Sequence, residues 1–155
     1  MAKARDIVRM SEAEISAFLG NMQNLQVATI GADGAPHLTT VWLTVHNGLV
    51  MFETYGTSQK LVNLRRDPRI AVLAEDGKTY GTLRGVSING RAEIIDQNPR
   101  LFDLMRRLID HHFPGQAADA LDAQTAKMAA KRVVVLVHPE KVMSWDHHKL
   151  GGKGP

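Results

Sequence analysis

Two tight turns set one strand-length apart constrain this chain more than any other feature. Ala32-Asp33-Gly34 closes the strand-like run Leu25–Gly31, and Asn47-Gly48 follows the run Pro36–Val45. Asn-Gly supplies the positive φ angles that a two-residue hairpin turn demands. Between the turns the residues alternate with a period of two. Leu38, Thr40, Trp42 and Thr44 fall on one face; Thr39, Val41, Leu43 and Val45 fall on the other. Leu49–Thr54 returns as the next strand. Three strands joined by short turns predict an antiparallel meander, which must curl or find a second layer to bury its apolar face.

The flanking segments supply helices and more strands. Ser11 with Glu14 has capping-box spacing, and Ile15, Phe18 and Leu19 give a short helix one apolar side before Gly20. After Gly56, Thr57 or Ser58 caps a helix that runs to about Arg66 and stops at Asp67-Pro68. Ile70–Ala74 reads as a buried strand and Thr79–Ile95 as long strand material, in which Asn89-Gly90 marks either a hairpin turn or a bulge. Asn98-Pro99 opens a helix with the stripe Leu101, Leu104, Met105, Leu108, Ile109, and an Ala-rich helix covers Gln116–Lys131. Val133–Val137 is a β-branched strand, Pro139–Trp145 stays extended or pairs again, and Met143–Gly152 forms a polar-aromatic tail. The expectation is one α+β domain over residues 1–155, with an N-terminal arm at 1–10, a tail at 143–155 and a barrel or strongly curved sheet between them.

Composition narrows the function classes. The chain of 155 residues has no Cys, which excludes disulfides, thiolate zinc sites and Cys nucleophiles, and fits a cytoplasmic protein. No segment reaches the roughly 20 apolar residues of a membrane helix. The net charge of +3 favours phosphorylated or polycarboxylate ligands, yet aromatics are only 5%, too few for a base-stacking platform, so no nucleic acid partner is expected.

The residues that carry candidate chemistry are few. Thr54, Ser58 and Lys60 combine a strand end, a hydroxyl cap and a cation in a first helical turn, the donors a phosphate needs. An ordinary capped surface helix would show the same pattern. Lys in a first turn opposes the helix dipole, and an anion would offset that. Arg65 and Arg66 occupy the last turn, where positive charge suits the dipole, and are read as solvated. His111-His112 and His147-His148 are adjacent pairs that do not share a helical face, so no metal site is expected. His111 and His112 finish a helix. Gly81, Gly85 and Gly90 are read as permitting sheet curvature. Trp42 reads as core from periodicity alone.

Three stretches together resemble a known family. They are Thr40-Val41-Trp42-Leu43, the run Phe52–Arg69 containing Thr54-x-x-x-Ser58-x-Lys60 and Asn63-Leu64-Arg65-Arg66-Asp67-Pro68, and Val142–Gly152 with Trp145 and Lys149. They resemble the pyridoxamine 5′-phosphate oxidase-like split-barrel superfamily, and within it the deazaflavin (coenzyme F-420)-dependent reductases of the B type. The resemblance implies a six-stranded antiparallel split β-barrel with peripheral helices, and a homodimer with the cofactor at its interface. The implied cofactor is F-420, alternatively FMN. The implied activity is hydride transfer to a small conjugated organic substrate; the alternatives are an FMN-dependent oxidase or reductase and a non-catalytic flavin- or haem-binding protein. By the same resemblance Thr40, Val41, Trp42 and Leu43 lie along the cofactor ring, and Thr54, Ser58 and Lys60 meet its phosphate. Trp145 and Lys149 complete the cleft from the second subunit, with His147 and His148 beside them. Position 40 is threonine where many members carry proline.

Overall fold

The computed structural model describes residues 4–151. Residues 1–3 and 152–155, which hold the outer ends of the predicted arm and tail including Gly152, lie outside the described residues.

The chain forms helices α1 (Ala4–Val8) and α2 (Glu12–Asn21), then strands β1 (Asn24–Ile30), β2 (Pro36–Trp42), β3 (Thr44–His46) and β4 (Leu49–Tyr55). Helix α3 (Gln59–Arg66) and strands β5 (Arg69–Asp76) and β6 (Arg84–Ile95) follow. Helices α4 (Arg100–His112) and α5 (Ala118–Ala129) precede the final strand β7 (Arg132–Asp146). All pairings are antiparallel, in the order β2-β1-β5-β6-β7-β4-β3. The architecture is α+β, a curled sheet with peripheral helices, as expected. The strand count is seven rather than six.

The extra strand has a physical origin. Pro36–Val45 reads as one alternating strand, but the structure breaks it at Leu43. The two pieces, β2 and β3, form the opposite edges of the sheet although one residue separates them. The sheet therefore curls until its edges meet at Leu43, whose side chain is 0% exposed. The Leu43 N–H donates to the Gln23 carbonyl at 2.8 Å, which fixes the corner. Leu43 and Thr44 are both buried, so the predicted alternation ends there. Trp42 is not core: it is 44% exposed on the outer side of β2.

Two apolar clusters flank the sheet. One fills the barrel, with Leu25, Val27, Leu43, Phe52, Leu61 and Val135 among its members. The other lies between the sheet and the α4–α5 pair, with Met51, Met105, Ile109, Val134 and Leu136. Successive strand residues point to opposite faces, so Val133 and Val135 enter the barrel while Val134 and Leu136 meet the helices. Burial on both faces explains why Val133–Val137 has no polar alternation. Losing one such side chain to Ala costs about 2–5 kcal/mol.

Asn89-Gly90 is not a turn; β6 runs straight through it, and the β6–β7 register shifts there because Glu140 of β7 is an extra, bulged residue. A Cβ at Gly90 would run into the His138 carbonyl, and Gly90 lies opposite Pro139, which a bulge admits into a sheet. The Met143–Asp146 part of the predicted tail is the end of β7. Helix α2 carries the predicted capping box, with the Ser11 N–H on Glu14 at 2.6 Å and the Glu14 N–H on Ser11 at 3.2 Å. Helix α4 begins at Arg100, without a side-chain cap, after a cis Asn98-Pro99 bond. Among the described residues no helix is long and apolar enough to cross a membrane, and no group of His, Asp or Glu could hold a metal ion.

Candidate functional site

Thr54, Ser58 and Lys60 converge. β4 delivers Thr54 at its inner, buried face, and Ser58 caps α3 four residues later. The Thr54 hydroxyl donates to Ser58 Oγ at 2.9 Å, and Ser58 Oγ accepts from the Leu61 N–H at 3.4 Å. Lys60 Nζ reaches Thr54 Oγ1 at 3.4 Å. Burial holds the Lys60 ammonium below the ordinary lysine value, opposed by the charge of Glu53. A partly desolvated cation beside two hydroxyls at a Ser-capped helix N-terminus forms a cradle that can receive an anion such as phosphate.

A buried amide anchors this cradle. Asn63, on α3, is 0% exposed and donates Nδ2–H to Thr29 Oγ1 on β1 at 3.0 Å. Gln59 donates to Asn63 Oδ1 at 2.9 Å, and Arg66 spans Asn63 and the Ile30 carbonyl. Arg65 pairs with Asp96 at 3.2 Å. Both arginines are exposed, Arg65 held by Asp96 and Arg66 by Asn63 and the Ile30 carbonyl.

Sequence reasoning missed the neighbours of the cradle on β4 and β7. Glu53 Oε1 pairs with Arg132 at 2.6 Å, while Glu53 Oε2 is buried without a hydrogen-bond partner. Arg132 also donates to the Tyr55 hydroxyl at 2.8 Å and lies 4.2 Å above that ring. These contacts span 77 to 79 residues, so no local signal marks them.

The Thr40–Leu43 stretch lies across the split. β2 is an edge strand, and it comes within 8 Å of β4 without a hydrogen-bonded ladder. Half of its backbone groups therefore face the split. Thr40 and Trp42 point outward, Val41 is half-buried inward, and Leu43 is fully buried. Trp42 is braced by α4 and the residue after it, with the rings of His112 at 5.0 Å and Phe113 at 5.7 Å. His112 Nε2 lies 3.1 Å from Thr44 Oγ1. Burial and the neighbouring His111 lower the His112 pKa, opposed by a hydrogen bond to the Leu43 backbone. Burial is the largest of these influences.

Within one chain Trp145 and Lys149 are not in contact with the cradle. Lys149 Nζ is bound by Glu14 Oε2 and the Arg9 carbonyl, each at 2.7 Å, which ties the tail to α2. His147 Nδ1 lies 2.7 Å from the Tyr80 carbonyl, and His148 Nδ1 lies 2.7 Å from Asp146.

The curled antiparallel sheet with its peripheral helices is a split barrel of the pyridoxamine 5′-phosphate oxidase type. Residues 11–146 match the pyridoxamine 5′-phosphate oxidase family model, and the chain belongs to that family. A conserved hypothetical protein from Mycobacterium tuberculosis is 43% identical over 99% of this chain and 96% of its own, with a TM-score of 0.90. An F420 reductase shares the fold at 21% identity over 82% of this chain and 94% of its own, TM-score 0.61. The haem storage protein of Vibrio cholerae does so at 15% identity over 86% and 94%, TM-score 0.67. No curated protein matches the chain.

Proposed function

We propose that this protein is a cytoplasmic oxidoreductase that binds reduced coenzyme F-420 at the split and directs hydride to a small conjugated organic substrate. The observation that carries this reading is the convergence of Thr54, Ser58 and Lys60 across the split from the exposed edge of β2. The residues fit such a cofactor: the cradle offers two hydroxyls and a partly buried cation for the phosphate, and β2 offers unpaired backbone groups and the apolar surface of Trp42 for a flat ring. When bound, the reduced deazaflavin supplies hydride, and solvent or a rim side chain supplies the proton. The chain's own part is to anchor the phosphate, hold the ring face and exclude water.

The reading includes a homodimer. Strand register places Thr40, Gln26, Leu73, Ser87 and Met143 in one row across five strands, with Leu38, Ala28, Ala71, Asn89 and Lys141 in the next. Only Lys141 in these rows carries a charge. Leu38 is 67% exposed and Met143 39%, and Gln26 Oε1 is buried without a partner. A second copy of this chain on that face would cover the apolar side chains and bring its Trp145 toward the partner's split. Lys149 then acts by holding the tail in place.

Fluorescence titration of the purified protein with F-420 and with FMN tests the reading. Micromolar or tighter F-420 binding, weakened at least tenfold in Lys60→Ala, is the expected result. Preference for FMN moves the chemistry to the flavin branch, and failure of both to bind removes the cradle assignment.

A further inference from the structure

Lys60 brings an ammonium to the Thr54–Ser58 cradle, with Nζ 3.4 Å from Thr54 Oγ1. The arginines of α3 and the first residue of β7 are already engaged. Arg65 is held by Asp96, Arg66 by Asn63 and the Ile30 carbonyl, and Arg132 by Glu53 at 2.6 Å. Glu53 thus stands between two cations. It directly precedes Thr54 on β4, and Arg132 takes only its Oε1. Among the described residues its Oε2 has no hydrogen-bond donor, although it is buried. The Glu53 charge also acts on the Lys60 ammonium, favouring the protonated form that burial opposes. Lys60, Glu53 and Arg132 therefore sum to one positive charge, where the two cations alone would give two.

We propose, on the reading that the cradle holds a cofactor phosphate, that Glu53 determines which kind of phosphate it accepts: a singly charged diester rather than a doubly charged monoester. A monoester carries about −1.5 to −2 charge at neutral pH, and a diester carries only one negative charge. One net positive charge balances the diester. The second charge of a monoester would lie near the Glu53 carboxylate in partly desolvated surroundings, where like charges repel more strongly than in water. The phosphate of F-420 is a diester and that of FMN a monoester, so one side chain on β4 separates the two cofactors by charge. The choice of ring stays with β2.

Fluorescence titration of the full chain at about pH 7.5 with FMN and with its phosphate monomethyl ester tests this, because the two share one ring and differ by one charge. The expected result is ester binding at least tenfold tighter than FMN binding in the wild type. In Glu53→Gln, which keeps the side-chain shape, that ratio falls at least fivefold through a gain in FMN affinity. In Arg132→Gln, which leaves the Glu53 charge without its guanidinium, ester affinity falls at least tenfold. A merely structural loss would weaken both ligands together, so the ratio isolates the charge. FMN binding as tight as ester binding in the wild type overturns the proposal. So does an unchanged ratio in Glu53→Gln, wild-type ester affinity in Arg132→Gln, or failure of the ester to bind. F-420 binding without preference for the ester removes the role of Glu53 alone; preference for the ester without F-420 binding removes F-420 alone.

Discussion

The indole of Trp145 lies over Gly85, its partner across the β6–β7 register, so closely that a Cβ at Gly85 would overlap the ring. Gly85 is buried and has an ordinary strand conformation, so the requirement for glycine is steric. Gly85→Ala is expected to push the indole off the sheet, shift its fluorescence and lower stability by about 1–3 kcal/mol through overpacking. Urea unfolding followed at two wavelengths measures both. An unchanged emission spectrum with unchanged midpoint would mean that Trp145 does not rest there.

Asn63 ties the helix that carries Ser58 and Lys60 to the sheet. Its amide joins α3 to β1 through Thr29, with both side chains buried. Asn63→Leu would leave the Thr29 hydroxyl without this partner and cost about 1–3 kcal/mol, by the penalty for an unpaired buried polar group. Because the helix carrying Ser58 and Lys60 loses its anchor, cofactor phosphate affinity should fall as well. Asn63→Leu with Thr29→Val removes both polar partners and should recover stability; no recovery would show that the pair is not coupled.

Much of this was legible in the chain. The Ser58 cap, the Lys60 position and the α2 capping box are local patterns of three to six residues, and the structure reproduces them. Local pattern fails where distant segments decide. Nothing in Pro36–Val45 reveals that its two ends join opposite edges of one sheet, so Leu43 reads as one more strand residue and Trp42 as core. The same holds for Arg132, whose partners on β4 lie nearly eighty residues away. Gly85 reads as a curvature residue because its neighbour, Trp145, is sixty positions on. Helix α1 has too few residues for any apolar period to register.

His112 should make stability depend on pH. Its folded pKa lies below the ordinary value of 6.5, so the unfolded chain binds the extra proton first. By linkage the contribution is fully present above about pH 6.5 and is lost as pH falls through the folded value. The charged or titratable neighbour in this corner is His111, with Thr44 and the Leu43 backbone as hydrogen-bond partners. His112→Gln keeps an amide for Thr44 without a titrating group. Urea midpoints measured from about pH 7.5 to 5 should fall less in the variant than in the wild type. Parallel curves would assign the acid sensitivity to other groups.

The outer sheet face predicts the assembly. Leu38 projects from β2 at 67% exposure, next to Ala28 and Ala71 in the register row. A charge placed there would have to be desolvated if a second copy covers the face, at a cost of several kcal/mol per buried ion. Leu38→Glu should therefore convert a dimer into a monomer by sedimentation equilibrium. It should change the stability of the isolated chain little, because the side chain makes no core contact in the single chain. In the proposed assembly the partner's Trp145 completes the split, so F-420 affinity should fall along with dimerisation, although Leu38 is not a cradle residue. A variant that remains dimeric would move the interface elsewhere. A wild-type chain that sediments as a monomer would require the whole cofactor site to be built from one copy.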